Sequence, residues 1–246
     1  MEVDPRWGDT RMTSAFFTLH QQLYREGPGE PADVAWAAKV AGLPADARIC
    51  DVACGPGADI PALLEAAPEG KITAIDAQKH FIEELHMRIG ADPRVMAYVG
   101  HLAKLKGPYD LIWCAGAVYF LGIEKALTAW RPALAKGGMV AFSEPCYFTD
   151  DPSEDARTFW EGYDTLDAAG IDAQIQKAGF QTVATRRISD AAWQAYYDPM
   201  AARIEMLRPD ADAELTKVLD EGAEEIAAYN RVRDETGYLL SVVRPI

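Results

Sequence analysis

Residues 48–64 read Arg48-Ile-Cys-Asp51-Val-Ala53-Cys-Gly55-Pro-Gly57-Ala-Asp59-Ile-Pro-Ala-Leu-Leu64. Residues 49–52 have the short apolar run of a buried strand, 53–57 the small residues of a turn, and Ile60, Leu63 and Leu64 the spacing of a helix facing a core. Strand, glycine turn and helix in that order suit a nucleotide. Small residues at 53, 55 and 57 let a ligand approach the backbone, and the helix that follows opens with unpaired N–H groups. Asp51 ends the strand with a carboxylate aimed at the same place. Residues 71–76, Lys-Ile-Thr-Ala-Ile-Asp76, form a second apolar strand ending in an acid, a position from which a carboxylate grips ribose hydroxyls.

The details of the turn narrow the ligand. A dinucleotide fingerprint needs G-x-G-x-x-G, and Ile60 stands where its third glycine belongs. A phosphate-binding loop needs Gly-Lys-Ser/Thr, where this chain has Gly57-Ala58-Asp59. An acid at 59 also repels a phosphate, but not a cationic nucleoside without one. The pattern Asp51-x-Ala53-x-Gly55-x-Gly57, followed by Asp76, resembles the signature of class I S-adenosylmethionine-dependent methyltransferases, with Ala53 where that family often has glycine. A ligand-free strand-turn-helix is the alternative. The resemblance implies that Asp51, Ala53, Gly55, Gly57, Asp76, Ala77 and Gln78 hold S-adenosylmethionine, with Asp76 on the ribose. After a third strand at 95–99 the family carries Gly-Asp-Ala, whose acid reaches the adenine amino group; this chain has Gly100-His101-Leu102. A neutral histidine still hydrogen-bonds, so His101 and Leu102 are expected beside the adenine, with an exposed surface histidine as the equal alternative.

Composition bounds the rest. At 246 residues the chain is long enough for one large α/β domain, and a net charge of −14 argues against capture of nucleic acid or an anionic membrane. Cys50, Cys54, Cys114 and Cys146 all fall on or beside expected strands, without disulfide spacing, which indicates reduced thiols in a cytoplasmic protein. Cys50 and Cys54 lack the second pair a metal site needs, so no metal is expected. The start, Met-Glu-Val-Asp-Pro, lacks the basic and apolar regions of a signal peptide. The apolar stretch 111–123 is too short to span a bilayer.

Along the chain, Met12, Phe16, Leu19 and Leu23 mark one helix face after some loosely held first residues, and 31–43 form another helix. Together, 1–45 read as a helical cap, which in the resembling family closes over the cofactor. Helix 78–89, strand 109–114, helix 124–134 and strand 139–143 follow. Cys114 closes the fourth strand and is expected among the cofactor-binding residues, in the cleft outside the strand ends. The run Trp130-Arg-Pro-Ala-Leu-Ala-Lys-Gly-Gly-Met-Val resembles the family's lead into its fifth strand. A short helix opens after Asp151-Pro152, another covers 166–178, and a sixth strand covers 181–188. Residues 189–235 are a helical insertion, with helix starts at Ser189-Asp190 and Asp198-Pro199 and an amphipathic helix over 212–233. In that last helix Glu214, Asp220, Glu221, Glu224 and Glu225 make up the polar side. A final strand spans 238–243. The expected fold is a single Rossmann-like α/β domain over 1–246, its mostly parallel seven-stranded sheet covered by helices on both faces, its last strand antiparallel by resemblance, with extra helical lid segments.

The resemblance lies closest to small-molecule methyltransferases of the ubiquinone/menaquinone-biosynthesis-like branch. It implies in-line transfer of a methyl group to a small-molecule acceptor, a reaction in which positioning alone can contribute ~7–11 kcal/mol. A base is needed only where the acceptor must lose a proton, and by expected location the candidates are Glu144, His20, Tyr119 and Tyr147. Each has a plain structural alternative: helix-face residue for His20, pocket wall for the tyrosines, cap or salt-bridge partner for Glu144. Trp7, Trp160, Trp193, Tyr196 and Tyr197 suit an apolar lid, plain core or a homodimer contact. A protein that binds the cofactor but transfers another group, or none, is the competing reading. The acceptor and the atom methylated stay open.

Overall fold

A computed structural model describes residues 14–246. Trp7, Met12 and the first ten residues, expected to be loosely held, lie outside the described residues. Seven strands form the body of the sheet: β1 (Arg48–Val52), β2 (Lys71–Asp76), β3 (Val95–Val99), β4 (Tyr109–Cys114), β5 (Leu134–Tyr147), β7 (Phe180–Arg187) and β8 (Thr236–Pro245). Their order is β3-β2-β1-β4-β5-β8-β7, and β8 runs antiparallel to both its neighbours while β1 to β5 pair in parallel. The one addition to the expected seven is the two-residue strand β6 (Leu166–Asp167), which pairs with the end of β5.

The alternation of side chains along the strands sorts the core into two layers. Ile49, Leu111, Trp113 and Ala141 face α1 (Ser14–His20), α2 (Pro31–Ala41), α3 (Ile60–Ala66), α4 (Lys79–Ile89), α8 (Asp190–Leu207) and α9 (Ala213–Val232). Cys50, Val52, Ile112, Val140 and Phe142 face α5 (Ile123–Trp130) and α7 (Ala168–Lys177). The remaining helix, α6 (Glu154–Phe159), lies between β5 and β6 in the chain.

Three expectations need correction. Strand β5 is far longer than 139–143, because an antiparallel ladder pairs Val140 to Tyr147 with Val243 to Thr236 and carries it past the end of β4. The helix expected over 166–178 starts only at Ala168, since Leu166 and Asp167 pair with β5 and the Asp167 carboxylate caps the helix by accepting the Gly170 N–H at 2.7 Å. Residues 190–207 form one helix across Pro199 rather than two.

The roof is built by folding α8 and α9 onto α1. Arg203 of α8 donates to the carbonyls of Thr18 and Leu19, which close α1, at 2.6 and 2.7 Å. Gly222 of α9 supplies the close approach: a Cβ there would stand 3.2 Å from Leu19 and 3.3 Å from Ile204. Helices α1, α8 and α9 thus pack into one layer.

Candidate functional site

The floor is the turn after β1. Ala53 has φ +57°, Gly55 +52° and Gly57 +84°. An alanine held in that left-handed region is strained, and backbone strain of this kind collects at ligand clamps. A Cβ on Gly57 would stand 2.8 Å from the Leu85 side chain, so only glycine lets α4 pack against the turn. Asp76 locks the turn to β2: its carboxylate accepts the Gly55 N–H at 2.9 Å and the Gln78 N–H at 2.8 Å. Burial raises the Asp76 pKa, and these backbone N–H groups oppose the rise. Asp51 is buried, and its Oδ2 has no hydrogen-bond partner. Its pKa lies well above the ordinary range, first through burial, then through the charges of Asp59 and Asp76, with Arg25 opposing. A buried acceptor oxygen among acids lacks a donor or a positive charge, and an adenosyl sulfonium brings hydroxyls and a cation.

The segment 21–30 crosses over this turn. Arg25 pairs with Asp59 at 2.8 Å, and the other Asp59 oxygen accepts the Trp113 indole N–H at 2.9 Å. Both oxygens of Asp59, the acid at the helix start, are therefore engaged within the protein. Arg88 of α4 donates to the carbonyls of Leu23 and Tyr24 at 2.6 and 2.8 Å, which ties the segment down. Glu26 then hangs over Gly55, where a Cβ would come within 3.7 Å of its Cγ. One oxygen of Glu26 bonds His20 Nδ1 at 2.7 Å, while Oε1 is buried and unpartnered. Burial raises the Glu26 pKa against the opposing pull of His20.

Beside the floor, near α8 and α9, acids and phenols gather; the region they border is the candidate acceptor chamber. Glu144 leaves β5 beyond the end of β4, and its buried Oε2 has no partner. Burial alone pushes its pKa up to about 8. Its charge acts on Tyr119, Tyr238 and Cys114. The phenols of Tyr119 and Tyr238 lie within electrostatic reach of each other. Rings continue the wall: Tyr119 meets Tyr163 edge-on at 5.2 Å, Tyr163 meets Trp160 at 5.7 Å, and Trp160 stacks on Tyr238 at 5.6 Å. On α8 and α9, Tyr197 donates to Glu225 Oε1 at 2.9 Å, and Tyr196 lies within electrostatic reach of Glu26, Glu225, Tyr119 and Tyr163. Glu225, Glu144 and Tyr119 all keep solvent-accessible surface, yet desolvation raises the pKa of each.

The structure brings together Asp51, Ala53, Gly55, Gly57, Asp76 and Gln78 at the floor, with the exposed Ala77 between the last two. Cys114 sits buried at the end of β4, its thiol pKa raised by burial. Exposed His101 is closed on its own loop, accepting the Ala103 N–H at 3.1 Å, and Leu102 is held by the Trp130 indole, which donates to its carbonyl at 2.7 Å. Among the base candidates, Glu144 and Tyr119 meet in the chamber and His20 lies at its far side through Glu26. Tyr147 turns toward Thr165 and Arg157 instead. Glu26, Arg25, Tyr163 and Tyr238 carried no signal beyond ordinary polarity or aromaticity, and Glu225, read as part of the polar side of its helix, is exposed there and accepts the Tyr197 hydroxyl. Among the described residues, no cluster of His, Cys, Asp and Glu has metal-holding geometry, and no helix is long and apolar enough to cross a membrane.

Comparison with known proteins bears on this geometry. Residues 49–138, from β1 to the start of β5, match the family described as a methyltransferase domain. A trans-aconitate 2-methyltransferase of Streptomyces avermitilis is 33% identical over 123 residues, covering 47% of this chain and 45% of that protein, so the chain matches under half the length of this curated relative. Two solved S-adenosylmethionine-dependent methyltransferases in complex with S-adenosyl-L-homocysteine, from Geobacter sulfurreducens and Thiobacillus denitrificans, share the fold. Each superposes with a TM-score of 0.80 at 20% identity, over 96% of this chain and 99% of its own. Residues 49–138, with the strand-end acids and strained turn they carry, thus match a methyltransferase domain, on a fold that solved S-adenosylmethionine-dependent methyltransferases share.

Proposed function

We propose that this protein transfers a methyl group from S-adenosylmethionine to a small-molecule acceptor held in the chamber between the β4 and β5 ends and the α8–α9 roof. The observation that carries the reading is the pair of buried, unpartnered carboxylate oxygens, Asp51 Oδ2 on the cofactor side and Glu144 Oε2 on the acceptor side. When bound, the cofactor supplies a methyl group already activated by its sulfonium charge. Asp76 would hold the ribose, Asp51 and the 53–57 turn the rest of the adenosyl and amino-acid portions, and the 101–102 loop and Cys114 the adenine side. The protein's remaining work is to orient the acceptor, exclude water and take up a proton. Trp160, Tyr163, Tyr119 and Tyr238 exclude water, and Glu144 Oε2 accepts the proton that a protic acceptor gives up.

The name of the S. avermitilis relative supports an acceptor of small-molecule size. The ubiquinone/menaquinone-like branch is our narrower reading, supported by the 115–119 run that leads Tyr119 into the chamber. Four free, buried cysteines suit a reducing compartment. The test is incubation with S-adenosylmethionine and a panel of amines, phenols, alcohols and carboxylic acids, with S-adenosylhomocysteine as readout. Cofactor binding without that product on any acceptor would instead indicate transfer of another group or a binding protein.

A further inference from the structure

The charge of the chamber says which acceptors it admits. Its walls hold three carboxyl groups, Glu26, Glu144 and Glu225, and the phenols of Tyr119, Tyr163, Tyr196, Tyr197 and Tyr238. The groups acting most strongly on them are one another, Cys114, Glu84, His20 and His80; among the described residues no lysine or arginine is one of these. The nearby arginines are engaged elsewhere, Arg25 with Asp59 and Arg203 with the end of α1. Two carboxylate oxygens, Glu26 Oε1 and Glu144 Oε2, are buried without a donor. Burial alone favours the protonated form of both groups, and a cationic donor placed beside them reverses that preference; once ionised, a carboxylate only accepts, so these two oxygens suit the N–H groups of a cation. An anionic acceptor would stand unpaired among buried acids, which is costly. A protonated amine supplies donors and the opposite charge together, and aromatic faces add cation–π attraction.

We propose that the acceptor carries a protonated amino group, bound at Glu144 on one side of the chamber and facing Glu26 across the aromatic wall, and that carboxylate acceptors are excluded. This rests on the chamber being the acceptor site of a methyltransferase. The test uses matched probes with one aromatic body: phenethylamine, 2-phenylethanol and 3-phenylpropanoate. Binding of each is measured by calorimetry in the presence of S-adenosylhomocysteine, after that nucleoside's own binding has been measured. The amine should bind at least ~10-fold more tightly than the alcohol, consistent with a hydrogen bond to a charged group, and the propanoate least. E144Q should bring the amine down to the level of the alcohol while S-adenosylhomocysteine affinity holds; E26Q, the second variant, should lower amine affinity less. Equal affinity for amine and alcohol, tighter binding of the propanoate, no binding of any probe, or an amine preference that survives E144Q overturns the proposal while leaving the methyltransferase reading intact. Failure of S-adenosylhomocysteine itself to bind overturns both.

Discussion

Replacing Glu144 by glutamine removes an ionisable group while keeping its shape, and the consequence can be worked out without reference to substrate. Burial raises this carboxyl from 4.5 to about 8 in the folded protein, whereas the unfolded chain releases the proton near the ordinary value. Between those two limits the folded state holds more protons than the unfolded one, so stability falls as pH rises and levels off only above the folded pKa. One proton gives a slope of ~1.4 kcal/mol per pH unit, so the full span is worth up to about 5 kcal/mol, and about 3 kcal/mol separates pH ~5.5 from pH ~8.5. Glutamine cannot ionise, so E144Q loses this slope and gains on the wild type as the solution becomes more alkaline. The assay is urea denaturation of both ligand-free proteins at those two pH values. Parallel pH dependences would refute the reasoning, because they would mean that Glu144 is solvated in the native state.

Other consequences can be checked separately. If Glu144 is the base, the wild-type rate should rise as pH passes through about 8, and E144Q should lack that limb; a flat wild-type profile speaks against the role. Asp76→Ala should weaken S-adenosylmethionine binding by roughly 1.5–3 kcal/mol through loss of charge-assisted hydrogen bonds, and unchanged affinity in calorimetry with the fold intact would remove the residue from the site. Arg25→Met leaves the mostly buried Asp59 near Asp51 with the Trp113 indole but no cation, and should cost ~3–5 kcal/mol in denaturant unfolding. Gly57→Ala should destabilise by ~1–2 kcal/mol from the left-handed backbone alone, plus the clash with Leu85, and a variant as stable as wild type would show that α4 can shift away.

By itself the sequence determined the half of the molecule whose physics is local. Strand β1, the turn with its small residues and the acid ending β2 lie close along the chain; apolar alternation and residue size there dictate burial and backbone shape whatever folds around them. The antiparallel β8 and the continuous helix across Pro199 depended on partners instead. Strand β8 slots between β5 and β7, pairs that are far apart in sequence, and only that ladder stretches β5 past β4 and delivers Glu144 to the cleft. The chamber was decided wholly by tertiary structure. Glu26 comes from the N-terminal segment, Glu144 from mid-chain, Glu225 and Tyr238 from the end, and they meet because α8 and α9 fold back onto α1. Helical periodicity placed Glu225 on a polar face and said nothing of Tyr197, whose hydroxyl bonds it from α8, because a contact between two helices exists only once the chain has folded.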